Sequence, residues 1–169
     1  MEKMLDILAW IILILTILLL RFLGNSLENI VHEKNFILIY LTIGFSISGV
    51  FLLLIYKLRP SYFIGGETRA SAVLSYFFGI AALTLFAAAA FTIQTAQHQK
   101  SILTAIITDK SINARYHTPY LNILIGNKVE RFQPSKREWD KISIADTLQL
   151  IVGKGRLNYY YVFSFSEEE

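Results

Sequence analysis

The sequence predicts a membrane protein built as a three-helix transmembrane bundle followed by a small, mostly-β C-terminal domain, a curled sheet or small barrel. Three observations carry that prediction. Asn35–Tyr56 and Ala70–Gln97 contain no Asp, Glu, Lys or Arg, and each exceeds the roughly 20 apolar residues that cross a hydrocarbon core. The chain is 54% hydrophobic with a mean hydropathy of +0.46, and the apolar residues concentrate before Gln97. From Ser101 onward the apolar pattern changes to a period of two, the period of a strand. The expected organisation is a transmembrane domain over residues 1–97 and a soluble β-rich domain over residues 98–169.

The first expected span is 4–23. Its charge-free core, Ile7–Leu20, has the length of a signal-peptide apolar region. Arg21 follows that core directly, and Gly24-Asn25-Ser26 matches a small-x-small cleavage site poorly. An uncleaved helix is therefore expected, with Arg21 reaching the headgroups along its aliphatic stem. The second span, 35–56, is closed by Lys57-Leu58-Arg59-Pro60. Cations suit the negative end of the helix dipole, and proline stops the helix. Tyr40 and Tyr56 are expected at the two interfaces. Gly44 and Ser48 lie four residues apart, a spacing that lets two helices approach closely. The third span, 70–96, would be roughly 40 Å long, more than a ~30 Å hydrocarbon core. It should tilt or project beyond the membrane. Its Ala87-Ala88-Ala89-Ala90 patch makes Ala87 and Ala88 candidates for helix packing. Gly65-Gly66, in the loop Ser61–Thr68, permits the return between the second and third helices.

In the second half, Ile102/Thr104/Ile106 alternate with Leu103/Ala105/Ile107, and Leu121/Ile123/Ile125 alternate with Tyr120/Asn122/Leu124. Leu148/Leu150/Val152 and Leu157/Tyr159/Tyr161/Phe163/Phe165 continue the pattern. Gly126-Asn127 reads as a hairpin into Val129–Phe132, and Gly153-Lys154-Gly155 as a second hairpin into the final strand. Pro119 should interrupt pairing just before the Leu121 strand. Ser135-Lys136-Arg137-Glu138 has the form of a capping box and predicts a short helical turn that carries Trp139. Five or six strands and one turn of helix result, closing best as a curled sheet that hides its edges. The last strand is apolar on both faces, so Trp139, Tyr159, Tyr160, Tyr161, Val162 and Phe163 are the candidate partner-binding residues. The simpler reading is a central strand covered by its own chain. Glu167-Glu168-Glu169 reads as a solvated end that discourages edge pairing.

The charge is +3, and the chain has no cysteine. Disulfides, zinc–thiolate sites and thiol nucleophiles are thereby excluded. Between His98 and Glu169 ten Lys/Arg are interleaved with eight Asp/Glu, unlike the concentrated basic stripe of a nucleic-acid binder. The histidines His32, His98 and His117 stand at no metal-ligand spacing, so no metal and no cofactor is expected. There is no G-x-S-x-G and no phosphate-binding glycine loop. The spans also lack the mid-membrane ionisable residues of transporters.

With three spans, Lys3, Lys57, Arg59 and Arg69 lie on one side, opposed by Arg21, Lys34, Lys100 and Lys110 on the other. The count is tied, and the short Lys57/Arg59/Arg69 loop breaks it toward a cytoplasmic N-terminus and an external C-terminal domain. The expectation is a non-enzymatic protein of a bacterial inner membrane. Its partners would be the lipid bilayer and another membrane protein or copies of itself, and it would serve as an accessory or assembly subunit of a complex. The alternatives are an immunity protein against a membrane-acting toxin, an oligomeric channel subunit, and an enzyme acting on lipid or envelope substrates.

Overall fold

The computed structural model describes residues 2–64, 66–98, 100–112, 118–125 and 127–167. Three helices come first: α1 (Glu2–Leu27), α2 (Glu33–Leu58) and α3 (Gly66–Ala96), with a 3-10 turn at Pro60–Ile64. All three are long and apolar enough to cross a membrane, over Lys3–Arg21, Glu33–Leu58 and Arg69–Ala96. Five strands follow: β1 (Lys100–Ile112), β2 (Pro119–Ile125), β3 (Lys128–Phe132), β4 (Thr147–Lys154) and β5 (Tyr160–Glu167). They form a curled antiparallel half-barrel of order β3-β2-β1-β4-β5. A short helix, α4 (Lys136–Lys141), lies between β3 and β4.

Two compact units emerge. One comprises Met1–Gly24 and Lys34–Ala90; the other comprises Asn25–Glu33 and Phe91–Glu169. Both units are discontinuous in sequence. The α1–α2 connection and the last turns of α3 both belong with the sheet.

In the helical unit small and aromatic residues make up most of the buried set, with Ile55 and Leu85 beside them. Ala9, Ile55, Tyr62, Ala72 and Tyr76 form one buried cluster. At Gly44 a methyl group would stand 2.6 Å from the Cα of Ala81, so α2 and α3 touch backbone to backbone there. One turn along, Ser48 is buried and its hydroxyl donates to the Tyr76 carbonyl at 3.3 Å. Phe45 stacks on Phe77 at 4.9 Å. The outward hydroxyls bond their own helix: Thr42 donates to the Leu38 carbonyl, Ser46 to Thr42 and Thr84 to Ile80. Such back-bonding lets a polar side chain face lipid without an orphan donor. Tyr62, beyond the end of α2, donates to Asp6 Oδ1 at 2.8 Å. Burial, then that bond and the nearby Asp6 charge, push its phenol well above the ordinary range.

In the sheet unit the buried residues are large and aliphatic, and they follow the predicted alternation. Ala105 and Ile107 of β1, Leu121 and Ile123 of β2, Phe132 of β3, Leu148, Leu150 and Val152 of β4 and Val162 of β5 form the core. Val31 and Ile142 complete it. The capping box is present in full: the Glu138 amide donates to Ser135 Oγ at 3.3 Å, and the Ser135 amide donates to Glu138 Oε2 at 2.8 Å. Pro119 occupies the first position of β2, opposite Ile112, where its missing N–H is tolerated. The predicted turn at Gly126-Asn127 lies partly outside the described residues, as do His117 and the last two glutamates.

Among the described residues the sheet has five strands and no sixth that closes it. Residues 28–32 cross its open side instead. Val31 N donates to the Tyr160 carbonyl and Val162 N to the Asn29 carbonyl, each at 2.9 Å, around an Ile30–Tyr161 bridge. Farther along the same segment, His32 Nδ1 pairs with Glu130 Oε1 on β3. A stretch that precedes the sheet by some 70 residues in sequence therefore ties its two edge strands.

Candidate functional site

Strand β5 departs from strict alternation. Ile151 pairs with Ser164 but Val152 with Val162, so Phe163 is an inserted residue. A bulge of this kind shifts the phase of the side chains beyond it. Val162 and Phe165 consequently share the core side: Val162 is fully buried, and Phe165 packs on the core with its ring 6.3 Å from that of Phe132. The alternation read from sequence placed Phe165 with Tyr161 and Phe163. Tyr161 and Phe163 instead form an edge-to-face pair, 5.0 Å apart, on the opposite face beside Gly153.

The candidate partner-binding residues therefore do not form one surface. Val162 is core. Tyr160 and Trp139 are half-buried and pack against the core. The indole Nε1 of Trp139 donates to the Tyr120 carbonyl at 3.4 Å. The Lys110 ammonium lies 4.2 Å from the centre of the Trp139 ring and donates to the Trp139 carbonyl at 2.6 Å, and also to that of Ile142. This clamp fixes α4 against the sheet. The carbonyl of Tyr159 accepts from Gly155 N at 2.9 Å in the β4–β5 turn. Among the helix-packing candidates, Gly44 and Ser48 meet α3, Ala88 is buried and Ala87 is exposed.

The surface that remains open is the outer face of the sheet. Ile106, Leu124 and Val129 stand in register across β1, β2 and β3, and Ile102 pairs with Ile151 across β1 and β4. Ile102 is 68% exposed, Ile106 48% and Val129 59%. Thr104 and Gln149 separate the two apolar rows. An apolar row laid across three strands is continuous in a way that single exposed aliphatics are not, and contiguous patches mark contact surfaces.

A polar cluster occupies the join between residues 28–32 and the sheet. The Arg131 guanidinium lies 3.7 Å from the centre of the Tyr120 ring. Burial raises the Glu28 carboxyl above the ordinary carboxylate range, opposed by the Arg131 charge and a hydrogen bond with Tyr120. Burial and the adjoining Glu28 charge likewise raise the Tyr120 phenol. Glu28 Oε2 and Asn29 Oδ1 are buried without a hydrogen-bond partner among the described residues. No three His, Asp or Glu side chains gather as metal ligands do, among the described residues. The cluster engages its charges in holding the join.

Sequence reasoning missed a further group. Gln94, Thr95 and His98 at the end of α3 face Lys154, Arg156 and Asn158 of the β4–β5 turn across a cleft of about 640 Å³. The glycines of that turn were legible as a hairpin, but nothing local says what the hairpin rests on. No protein-family model matches this chain, and no curated protein matches it by sequence.

Proposed function

We propose that this chain is a non-enzymatic integral membrane protein whose three helices cross the bilayer and whose half-barrel binds another protein, as an accessory or assembly subunit of a membrane complex. One observation carries the reading: the outer face of the sheet bears the in-register row Ile106/Leu124/Val129 beside Ile102/Ile151, with Ile102, Ile106 and Val129 exposed and Leu124 and Ile151 half-buried. The opposite face already fills a core of its own, so the outer row contributes nothing to that core. The outer row replaces the aromatic strand as the contact surface, with Tyr161 and Phe163 at its β5 side. The proposed setting is a bacterial inner membrane, with the short Lys57/Arg59/Arg69 loop cytoplasmic and the half-barrel outside.

Native mass spectrometry after mild-detergent extraction from the source cells tests the contact surface. A second protein bound in fixed ratio to the wild type, and lost from Ile106→Lys and Val129→Lys variants that keep their β-sheet circular dichroism, is the expected result. A partner retained by both variants overturns this surface. A closed ring of identical chains turns the assignment to an oligomeric channel. The orientation has its own test. The chain lacks cysteine, so a single Asn127→Cys in the exposed β2–β3 turn should react with an impermeant maleimide on intact spheroplasts. Labelling only after lysis reverses the orientation.

A further inference from the structure

We propose that the cleft between the β4–β5 turn and the end of α3 is a phosphate-binding site at the membrane surface, and that its ligand is the phosphodiester headgroup of an anionic phospholipid. The turn is held in place closely. A methyl group at Gly153 would stand 2.0 Å from the Ala96 carbonyl oxygen, and one at Gly155 would stand 2.8 Å from that of Thr92. The amide of Arg156 donates to Thr95 Oγ1 at 3.0 Å. Asn158 takes a left-handed backbone with φ 64°, and its amide closes the turn on the Gly155 carbonyl at 3.0 Å. Contacts made by the turn's own backbone fix it on the helix, and the Lys154 and Arg156 side chains line the cleft.

The chemistry of the lining matches one class of ligand. Lys154 and Arg156 supply positive charge, His98, Gln94 and Asn158 supply further N–H donors, and no carboxylate lines the cleft among the described residues. Arginine forks suit phosphate oxygens, and lysine adds a point charge. The position supplies the source. The apolar stretch Arg69–Ala96 has 28 residues, roughly 42 Å of helix against a ~30 Å hydrocarbon core. Its last turns, which carry Gln94 and Thr95, fall in the headgroup layer of a spanning α3. Lys100 lies 5.2 Å from the centre of the Phe163 ring and Lys154 lies 5.8 Å from that of Tyr160. Cations next to aromatic rings are the composition of a membrane interface. Lys and Arg next to the bilayer surface are attracted to anionic headgroups. This inference rests on the spanning reading of α3 but not on the protein partner proposed above.

The full chain in nanodiscs of phosphatidylcholine with graded phosphatidylglycerol tests the site. Bound lipid is counted by native mass spectrometry, and resistance to carbonate extraction is checked separately, so a lost site is not confused with a lost anchor. The wild type should retain phosphatidylglycerol in preference to phosphatidylcholine. Lys154→Gln and Arg156→Gln should each lower that preference about five-fold and the double variant roughly thirty-fold, as expected for one surface cation each. The pair Lys136→Gln/Arg137→Gln removes the same charge from α4 and should leave the preference unchanged. Equal loss in that pair, or no loss in the cleft variants, overturns the site. Displacement of the lipid by millimolar inorganic phosphate would overturn the lipid assignment in favour of a soluble phosphate ligand. A second readout leaves the cations intact: a fluorophore on Gln97→Cys should be quenched more by headgroup-labelled phosphatidylglycerol than by the choline lipid. Equal quenching by the two lipids overturns the proposal.

Discussion

The helical unit and the sheet unit bury their large aliphatics to different extents. Among the helices, alanines, glycines and a serine are hidden, such as Ala9, Gly44, Ser48, Ala81 and Ala89, while large aliphatics such as Leu38, Leu53 and Ile17 are exposed. In the sheet, Leu121, Ile123, Leu148 and Leu150 are fully buried and the charged residues lie outside. Both arrangements are those expected if one rule acts in two solvents, water for the sheet and lipid for the helices. In water, burying aliphatic area drives packing. In lipid that gain vanishes, and helices associate through close approach of small residues and internal hydrogen bonds. The outer face of the half-barrel breaks the rule for water, because Ile102 and Val129 are exposed there as leucines are on the helices. That exception is the support for the contact surface proposed above.

The largest test of this contrast lies in the sheet core. Leu150→Ala should destabilise the half-barrel by about 2–5 kcal/mol, whereas Ile106→Ala on the outer face should cost no more than about 0.5 kcal/mol. Denaturant unfolding of the full chain, followed by β-sheet circular dichroism, measures both. Equal costs would mean that the outer row is part of the fold. In the helices the order of sizes reverses. Gly44→Leu drives a side chain into the Ala81 backbone and should cost about 1–3 kcal/mol, while Leu53→Ala, at an exposed position, should leave thermal stability in detergent unchanged. A larger loss from Leu53→Ala would show that the helices pack by aliphatic burial after all.

Two smaller effects sharpen the picture of the sheet unit. Ser135→Ala removes half of the capping box and should cost about 1 kcal/mol, read as a lower denaturant midpoint. A restored midpoint in Ser135→Asp would assign the loss to capping. Glu28 gives the smallest effect, because its burial is partial and Arg131 opposes it. Its folded pKa lies above the ordinary 4.5, so the folded chain favours the neutral acid. The stability associated with that proton is complete below the unfolded value and is lost as pH rises through the folded value. Glu28→Gln should therefore be more stable than the wild type near neutral pH, with the gap closing on acidification. A gap that widens on acidification would show that attraction to Arg131 outweighs burial.

Much of the fold was legible because it is local. The apolar runs, the Ser135/Glu138 box, and the alternation that puts Leu121, Leu148 and Leu150 inside all follow from residues near one another in the chain. The proposed contact surface was not legible in the same way. Over-apolar β5 pointed to a two-sided strand, but the strand is covered by the core on one side and paired along its edge by residues 29–31. The outer row is spread over β1 to β4, one or two residues per strand, so no single segment displays it.

The sequence by itself determined which segments are helical, which are stranded, and which stretches are apolar enough for lipid. These properties depend on composition and period, and both are written along the chain. The tertiary structure alone decided three things. Residues 28–32 span the open side of the sheet, a bulge at Phe163 turns Phe165 into the core, and a glycine turn on the end of α3 gathers Lys154 and Arg156 beside Gln94 and His98. Each depends on backbones meeting at close range between distant parts of the chain, and periodicity carries no record of such meetings.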